Sequence, residues 1–589
     1  MLFFELSRYF QRLEGTPSRN SMTEILASLF KRSSGEEIAK ICYLLQGRVA
    51  PLYDAIEFGL ADKFIIRAIS SAYTIDKAEV LKEFKRTGDL GIAAESCYHV
   101  TVHSSRRQKY SVSDVYQALY ALTAVGGHGS QEKKIEMLAA LLRNVDSLSA
   151  RYIVRIPLDK LRLGFSDMTI LDALSWMLVS DKSLRVRLEG AYNVRPDIGY
   201  ISQTVKEKGI KGLGSVSAKV GVPLLAALCQ RLPDADEMIE KMGKVAVEPK
   251  YDGVRVQIHY RKTVRQLDGK TGRVQTFSRN LENTTAMFPE LADIGKQLNA
   301  REVILDSEAI GVDPKSGRLI SFQETMTRKR KHEIEKARVS VPLKFFVFDV
   351  LFKDGKDLLN EPLSARRKAL EQIVTPGKIL TISPQIVTDT SEGIRRFHDE
   401  QITQGLEGVV VKKWNGQYEP GRRDYSWVKF KEEEGKTGKL TDTIDAVVMG
   451  YTAGEGKRTA FGIGHVLLGV RRREDFVTVT KLGSGATEKE LGMLFQTLKK
   501  LRVREQPKEY KDVNKVYTPD FWVAPKLVLE VAGDDLTKSP THGACFAVRF
   551  PRLVRIRDDK LPREATTVGE LETMFRNQKT QPSHNITCL

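Results

Sequence analysis

Residues 248–255 read Glu248-Pro249-Lys250-Tyr251-Asp252-Gly253-Val254-Arg255 and run straight into the alternating stretch Val254-Arg-Val-Gln-Ile-His-Tyr260. Alternation of apolar and polar residues is the mark of a half-buried strand. It places Lys250 in the loop that enters that strand. A lysine in such a loop can attack the α-phosphorus of a nucleotide and form a covalent phosphoramidate. It must first lose its proton, which partial burial and neighbouring cations favour, and arginine cannot replace it. The competing reading is a surface turn favoured by Asp-Gly. At average residue usage a K-x-D-G pattern arises by chance in roughly one chain in seven of this length, so it decides nothing alone.

The flanking sequence decides. Ser278-Arg279-Asn280 follows one hairpin on. Glu308 sits late in the apolar run Val303-Ile-Leu-Asp-Ser-Glu-Ala-Ile310, and Lys344-Phe-Phe-Val-Phe-Asp-Val-Leu-Phe352 is a second such run. Glu407-Gly408 opens a third, which ends at Lys412 and Lys413. In Trp427-Val-Lys429-Phe-Lys431 the two lysines alternate and so share one strand face. Nucleotidyl transfer needs these parts: carboxylates for Mg²⁺, cations for phosphates and an aromatic ring for the base. Each alone reads as a surface charge on a strand end. In this order they point to one site. Helical stretches lie between the strands, so this section is α+β.

Outward from it, residues 1–220 carry helical periodicity, as in Met22–Lys31, Lys133–Arg143 and Ile170–Leu178. Ser113 is expected to cap the helix that begins Asp114-Val-Tyr-Gln. A charged, glycine-containing stretch, Lys431–Lys439, reads as a linker. Beyond it, Ile444–Tyr451, His465–Val470, Phe476–Thr480 and Lys526–Val531 are among about five short strands, which suit a small barrel. A polar tail from Asn577 is expected to fray.

Composition narrows the class. Hydrophobic residues at 41% are enough for real cores, which excludes a disordered chain. No apolar run is long enough to cross a membrane, and Met1–Leu6 is too short and too charged for a signal peptide. The five cysteines are scattered, with no C-x-x-C pair. Neither a disulfide framework nor a zinc module is expected, and the compartment reads as a reducing cytoplasm. The net charge of +18 suggests an anionic partner.

These motifs resemble those of the ATP-dependent DNA ligases, in the larger form shared by archaea, some bacteria and eukaryotic replicative enzymes. The resemblance extends to the N-terminal block Met1–Lys31, to Asp159-Lys-Leu-Arg-Leu-Gly-Phe-Ser-Asp-Met-Thr-Ile-Leu-Asp-Ala-Leu174, and to Phe546–Lys560. It implies a multidomain chain: an all-α DNA-binding domain (1–220), an α+β adenylation domain (221–437) and a C-terminal β-barrel OB-fold domain (438–589). It implies sealing of nicked duplex DNA in replication, repair and recombination, with ATP and Mg²⁺ (Mn²⁺ able to substitute). The chain would act as a monomer associated with the nucleoid.

The resemblance also assigns roles. Lys250 is the adenylated residue, and Glu248 reads the adenine amino group. Arg255 and Arg279 hold the ribose and its phosphate, and Phe348 stacks on the base. Glu308 and Glu407 serve ribose and metal. Lys429 and Lys431 meet phosphate. Arg557, Asp559 and Lys560 close over ATP, and Arg231 aligns loosely near the nucleotide.

Pro249 departs from the aromatic residue common before the lysine. Ser104–Ser113 lacks the paired phenylalanines of a clamp-binding loop, which argues against a sliding-clamp partner and leaves Arg106, Arg107 and Lys109 as phosphate contacts or a solvated basic loop. Glu530–Asp535 is unusually acidic. An RNA ligase or capping enzyme would share the lysine core but not the long helical domain before it. A DNA-binding scaffold with a dead nucleotide site would not keep Lys250, Glu308, Glu407 and Lys429. NAD-dependent relatives carry a four-cysteine zinc module absent here.

The charge is spread evenly. Residues 1–220 carry 31 basic and 24 acidic side chains, 221–437 carry 37 and 32, and 438–589 carry 25 and 19. A chain that meets phosphate along its whole length should lose duplex affinity by roughly 1000-fold or more between about 50 and 200 mM salt. Fluorescence anisotropy on a labelled nicked duplex measures this, and a flat salt dependence would refute distributed phosphate contact.

Overall fold

The structure is a computed structural model that describes residues 1–101, 109–159, 161–232, 234–263, 272–314, 316–320, 325, 341–431, 443–454, 462–483, 488–533 and 535–579. It forms two compact units, one of Met1–Ile402 with Leu406–Phe430, the other chiefly Lys431–Ile586.

The first unit opens with α1 (Phe3–Glu14), α2 (Arg19–Arg32), α3 (Gly35–Leu45), α4 (Asp62–Tyr73), α5 (Lys77–Thr87), α6 (Leu90–Thr101), α7 (Val112–Ala124), α8 (Ser130–Arg143), α9 (Ser147–Arg155), α10 (Asp167–Val179), α11 (Arg185–Val194) and α12 (Ile198–Lys208). Their apolar stripes meet in one core that includes Phe10, Phe30, Tyr152 and Leu174. The helix starts are set by short polar side chains. Ser18, Ser34, Asp76, Asp146 and Asp197 each accept a backbone N–H of the first turn. The cap of α7 is Ser111, not Ser113. Ser111 and Asp114 form a reciprocal capping box. Ser113, already inside the helix, accepts from Lys40 Nζ instead.

The rest of this unit is two sheets. The five-stranded sheet has the order β1 (Leu228–Arg231), β11 (Arg423–Lys431), β10 (Gly408–Lys413), β2 (Val245–Pro249), β9 (Ile386–Thr388). The six-stranded sheet runs β4 (Gly272–Ser278), β3 (Val254–Lys262), β5 (Glu302–Gly311), β6 (Leu343–Lys353), β7 (Lys356–Asp357), with β8 (Leu380–Ile382) parallel to β6. Three helices complete it: α13 (Ala235–Met242), α14 (Leu363–Ile373) and α15 (Ser391–Thr403). Val245, Val247, Val409, Val411 and Val428 cover one face of the first sheet and pack on Met238, Ile394 and Phe397. Ile258, Leu305, Phe345 and Val347 do the same for the second sheet, against Leu370 and Ile373. The strands expected from alternation are all present. The four residues Lys250–Gly253 connect β2 in one sheet to β3 in the other.

In the C-terminal unit the longer strands pair in the order β21 (Arg552–Arg557), β18 (Val528–Ala532), β12 (Ile444–Tyr451), β13 (Val466–Arg472), β14 (Asp475–Leu482). Five more, β15 (Arg502–Val503), β16 (Tyr510–Lys511), β17 (Phe521–Val523), β19 (Asp535–Lys538) and β20 (Phe546–Arg549), are too short to show alternation. The expectation of about five strands therefore undercounts. Helix α16 (Glu488–Lys500) lies between β14 and β15, and α17 (Val568–Lys579) follows the last strand. The expected linker after Lys431 and the tail beyond Lys579 lie outside the described residues. No helix among the described residues is long and apolar enough to cross a membrane.

The connection from helices to sheets is clipped by β3. His259 Nδ1 accepts Gly221 N–H at 3.0 Å, and Gln257 exchanges two hydrogen bonds with the Leu224 backbone, at 3.0 and 2.7 Å. Burial holds the His259 imidazole neutral, with its pKa pushed down to about 3 from an ordinary 6.5. The folded chain then binds fewer protons than the unfolded chain between those values. The contribution of His259 is full above pH 6.5 and fades as pH falls toward 3. The urea midpoint should drop less steeply from pH 6.5 to 4 in His259→Asn, whose amide oxygen can keep the Gly221 bond. Equal slopes would refute this.

Candidate active site

Lys250 projects from the link between the two sheets. Its own N–H donates to Gly408 O at 2.9 Å, and its ammonium pairs with Glu407. Two glycines permit that geometry. A Cβ at Gly253 would sit 2.6 Å from Ala309 O and 2.9 Å from Glu308 Cγ, so only glycine lets the link press onto β5. Gly408 has φ +128°, where a side chain is strained, and it turns the chain from Glu407 into β10. The Asp-Gly signal is thus a close-packing requirement rather than a solvent turn.

Behind Lys250 the charges are buried and paired. Glu248 on β2 is 2% exposed, and Lys412 on β10 is 1% exposed. Lys412 Nζ donates to Glu248 Oε2 at 2.7 Å and lies 4.6 Å from the Phe348 ring centroid and 4.2 Å from that of Trp427. Glu248 Oε1 has no hydrogen-bond partner among the described residues. Burial pushes the Glu248 carboxyl up, opposed by Lys412.

Arg255 on β3 binds Asp306 in a two-point fork, Nε to Oδ1 at 3.1 Å and Nη2 to Oδ2 at 2.6 Å. Its Nη1 donates to Ala227 O at 2.6 Å. The Tyr418 hydroxyl donates to Asp306 Oδ2 at 2.7 Å and accepts Ala227 N–H at 3.1 Å. Burial raises the Tyr418 phenol well above its ordinary value, with the Asp306 charge adding. Glu308 stands on β5 opposite Arg255. Desolvation pushes its carboxyl up to about 8, with Arg255 and Lys250 opposing.

The β11 alternation works as expected. Val428 and Phe430 join the core on one face, leaving Trp427 and Lys429 on the other. Register sets Lys429 beside Arg231 of β1. Arg279 follows β4 in an exposed turn, one step past the Ser278–Val256 pair and so level with Arg255. Lys431 ends β11, and its side chain is not among those described.

Family profiles match along this architecture: "DNA ligase N terminus" over residues 2–175, "ATP dependent DNA ligase domain" over 223–431 and "ATP dependent DNA ligase C terminal region" over 459–560. A "Probable DNA ligase" of Dictyoglomus thermophilum is 41% identical over 590 residues, covering 98% of each chain. "DNA ligase 2" of Thermofilum pendens is 38% identical over 98% of this chain and 97% of its own. The chain belongs to the ATP-dependent DNA ligase family. A solved structure titled "Pmar-Lig_Pre." shares the fold at TM-score 0.52 and 16% identity, covering 94% of this chain and 99% of its own.

The ligase keeps its C-terminal cations occupied within the second unit. Arg557 donates to Asp559 at 2.7 and 2.8 Å and to Asp445 at 3.1 Å, and Lys560 Nζ reaches Asp445 at 2.5 Å. The Arg557 hydrogen bonds hold the Asp559 carboxyl down at about 2. The acidic segment before β19 has a similar explanation. Glu530 accepts from Arg555 Nε at 2.6 Å and lies 3.6 Å from Arg557, and Asp535 lies 3.9 Å from Arg549. Asp534 is outside the described residues, as are Arg106 and Arg107, while Lys109 is exposed.

Sequence reading named Lys412 and Trp427 among the site's ordered parts without a partner or role for either, and it missed Asp306 and Tyr418. Lys412 gave a signal, since a lysine one step inside the end of an apolar strand must find a partner if that face is buried. Asp306 carried a similar signal within the β5 run. Tyr418 lies in a loop and carried none. Asp306→Ala would strand the Arg255 charge and should cost about 3–5 kcal/mol of stability. Denaturant unfolding of the intact ligase measures it, and a loss below about 1 kcal/mol would show that the fork is dispensable.

Proposed function

We propose that this ligase seals nicks in duplex DNA through a lysyl-AMP intermediate on Lys250 and a 5′-adenylated DNA strand. One observation carries the reading: Lys250 stands at the link between two sheets, with Glu407 as its partner and a buried carboxylate oxygen, Glu248 Oε1, left without a donor behind it. An adenine amino group would supply that donor. Phe348 and Trp427, beside Lys412, offer aromatic faces nearby.

Lys250 Nζ, freed of its proton, attacks the α-phosphorus. The P–N bond forms as the bond to pyrophosphate breaks. AMP then passes to the 5′-phosphate at the nick, and the 3′-hydroxyl displaces it. All three steps gather negative charge on phosphoryl oxygens, where fixed cations contribute most to rate. Lys429 is suited to those oxygens, and Lys431 is kept with it as the resemblance implies. Glu308 and Glu407 fit a single Mg²⁺, or Mn²⁺, which would be completed by phosphate oxygens rather than by a cage of protein ligands. When bound, the ion neutralises phosphate charge. Glu407, engaged by such an ion, would leave Lys250, whose ammonium would then lose its proton more readily. Arg255, kept as a nucleotide contact, also bonds within the protein through all three nitrogens and so holds Asp306 and the β3–β5 wall in place.

The finer assignments belong to the same reading. These are domains at 1–220, 221–437 and 438–589, an OB-fold in the last, monomeric action on nicked duplex, and service in replication, repair and recombination in the cytoplasm. Arg279, Arg557 and Lys560 are kept as nucleotide contacts, with Arg557 and Lys560 exchanging their present carboxylate partners for phosphate.

Incubation with α-labelled ATP, GTP or NAD and Mg²⁺ tests the chemistry. Label from ATP should stay on the denatured protein, and Lys250→Ala should abolish it. Label retained from GTP alone would turn the reading toward capping, and label on the Lys250→Ala chain would remove Lys250 as nucleophile. A nicked-duplex sealing assay then tests the substrate.

A further inference from the structure

Glu248 has a neighbour that the motifs do not include. Strand β9 pairs with β2 in antiparallel register, Val245 with Thr388, Ala246 with Val387 and Val247 with Ile386. The next step of that register sets Gln385 opposite Glu248. Directly opposed residues of an antiparallel pair point to the same side of the sheet. Val247 and Ile386 both pack into the core beneath α13 and α15, so Glu248 and Gln385 point the other way, away from that core.

Both side chains present a buried oxygen that accepts nothing. Glu248 Oε1 and Gln385 Oε1 each lack a hydrogen-bond partner among the described residues. Such atoms are rare because each costs free energy comparable to a lost hydrogen bond. Two of them on facing positions of adjacent strands form one acceptor pair. Lys412 Nζ already holds Glu248 Oε2, and Arg367 Nη1, the cation from α14, is engaged at 2.9 Å with Ser383 O. A ligand must therefore bring the donors, and an exocyclic amine carries two N–H groups on one nitrogen.

We propose that Gln385 is a base-specificity residue of the ligase: its side-chain oxygen accepts the second N–H of the adenine 6-amino group whose first N–H goes to Glu248. The inference rests on the adenine reading of Glu248 given above. It adds a reason for selectivity. A base with a carbonyl at that position meets two acceptors with none of its own donors, and leaves both unpaired.

The test compares ATP with purine riboside triphosphate, which lacks the amino group. Labelling rates are read on the wild type and on Gln385→Met, which keeps the side-chain length without the amide. Equilibrium affinities are read by calorimetry in a Lys250→Ala background, where no chemistry intervenes. Wild type should favour ATP. Gln385→Met should reduce that preference by about 3- to 10-fold, the worth of one neutral hydrogen bond. The whole change should fall on ATP, with purine riboside triphosphate unaffected. Equal losses for both nucleotides, or an unchanged ratio, would reduce Gln385 to a structural residue and overturn the proposal. Absence of any wild-type preference would instead remove the adenine reading of Glu248. Gln385→Ala gives the same ratio should the methionine variant fold poorly, and thermal melting checks both.

Discussion

A charge cannot be left alone in a protein interior, and the adenylation half of this ligase is organised around that constraint. Glu248 and Lys412 are both almost fully buried and sit on adjacent strands. Neither is tolerable without the other, because an uncompensated buried ion costs several kcal/mol or changes its protonation. Arg255 and Asp306 repeat the arrangement on the facing sheet, with Tyr418 closing the remaining lone pair. Asp349 and Arg366 do so a third time, tying β6 to α14 with bonds of 2.8 and 3.0 Å. These pairs add little net stability over apolar replacements. What they fix is position: strands that carry them cannot slip by one residue without stranding a charge.

Position is what nucleotidyl transfer requires. The chemistry is displacement at phosphorus, and the protein contributes orientation and fixed charge. Lys250 is set on a four-residue link between two sheets, held from one side by the Gly408 carbonyl and from the other by the close approach of Gly253 to β5. At this site two buried acceptors, Glu248 Oε1 and Gln385 Oε1, have no donor among the described residues. The polar atoms left unsatisfied therefore outline the ligand as much as the satisfied ones define the frame.

Much of this was legible before any coordinates. Alternation found the site strands because each has one face on an apolar core, as Val428 and Phe430 show beside Trp427 and Lys429. Lys250, Glu308 and Glu407 were legible as residue types at strand ends. The one helix cap expected, Ser113, missed by two residues, because Ser111 offers the same chemistry two positions earlier. The short C-terminal strands escaped because two to four residues carry too little period to read. The pairing of Lys412 with Glu248, and Gln385 altogether, escaped for a different reason, since their meaning depends on the strand that lies next to theirs.

By itself, the sequence determined the order of the ligase blocks, the candidate nucleophile and its chemical needs, the class of each strand face and a positive charge spread over the whole chain. Those properties are local, because periodicity and residue type are written along the backbone. Only the tertiary structure decided which charges neutralise one another, why Gly253 must lack a side chain, and that Gln385 stands across from Glu248. Those are facts of strand register and burial. A hydrogen bond or an ion pair gains its value from the water it excludes, and exclusion exists only once distant segments have packed together.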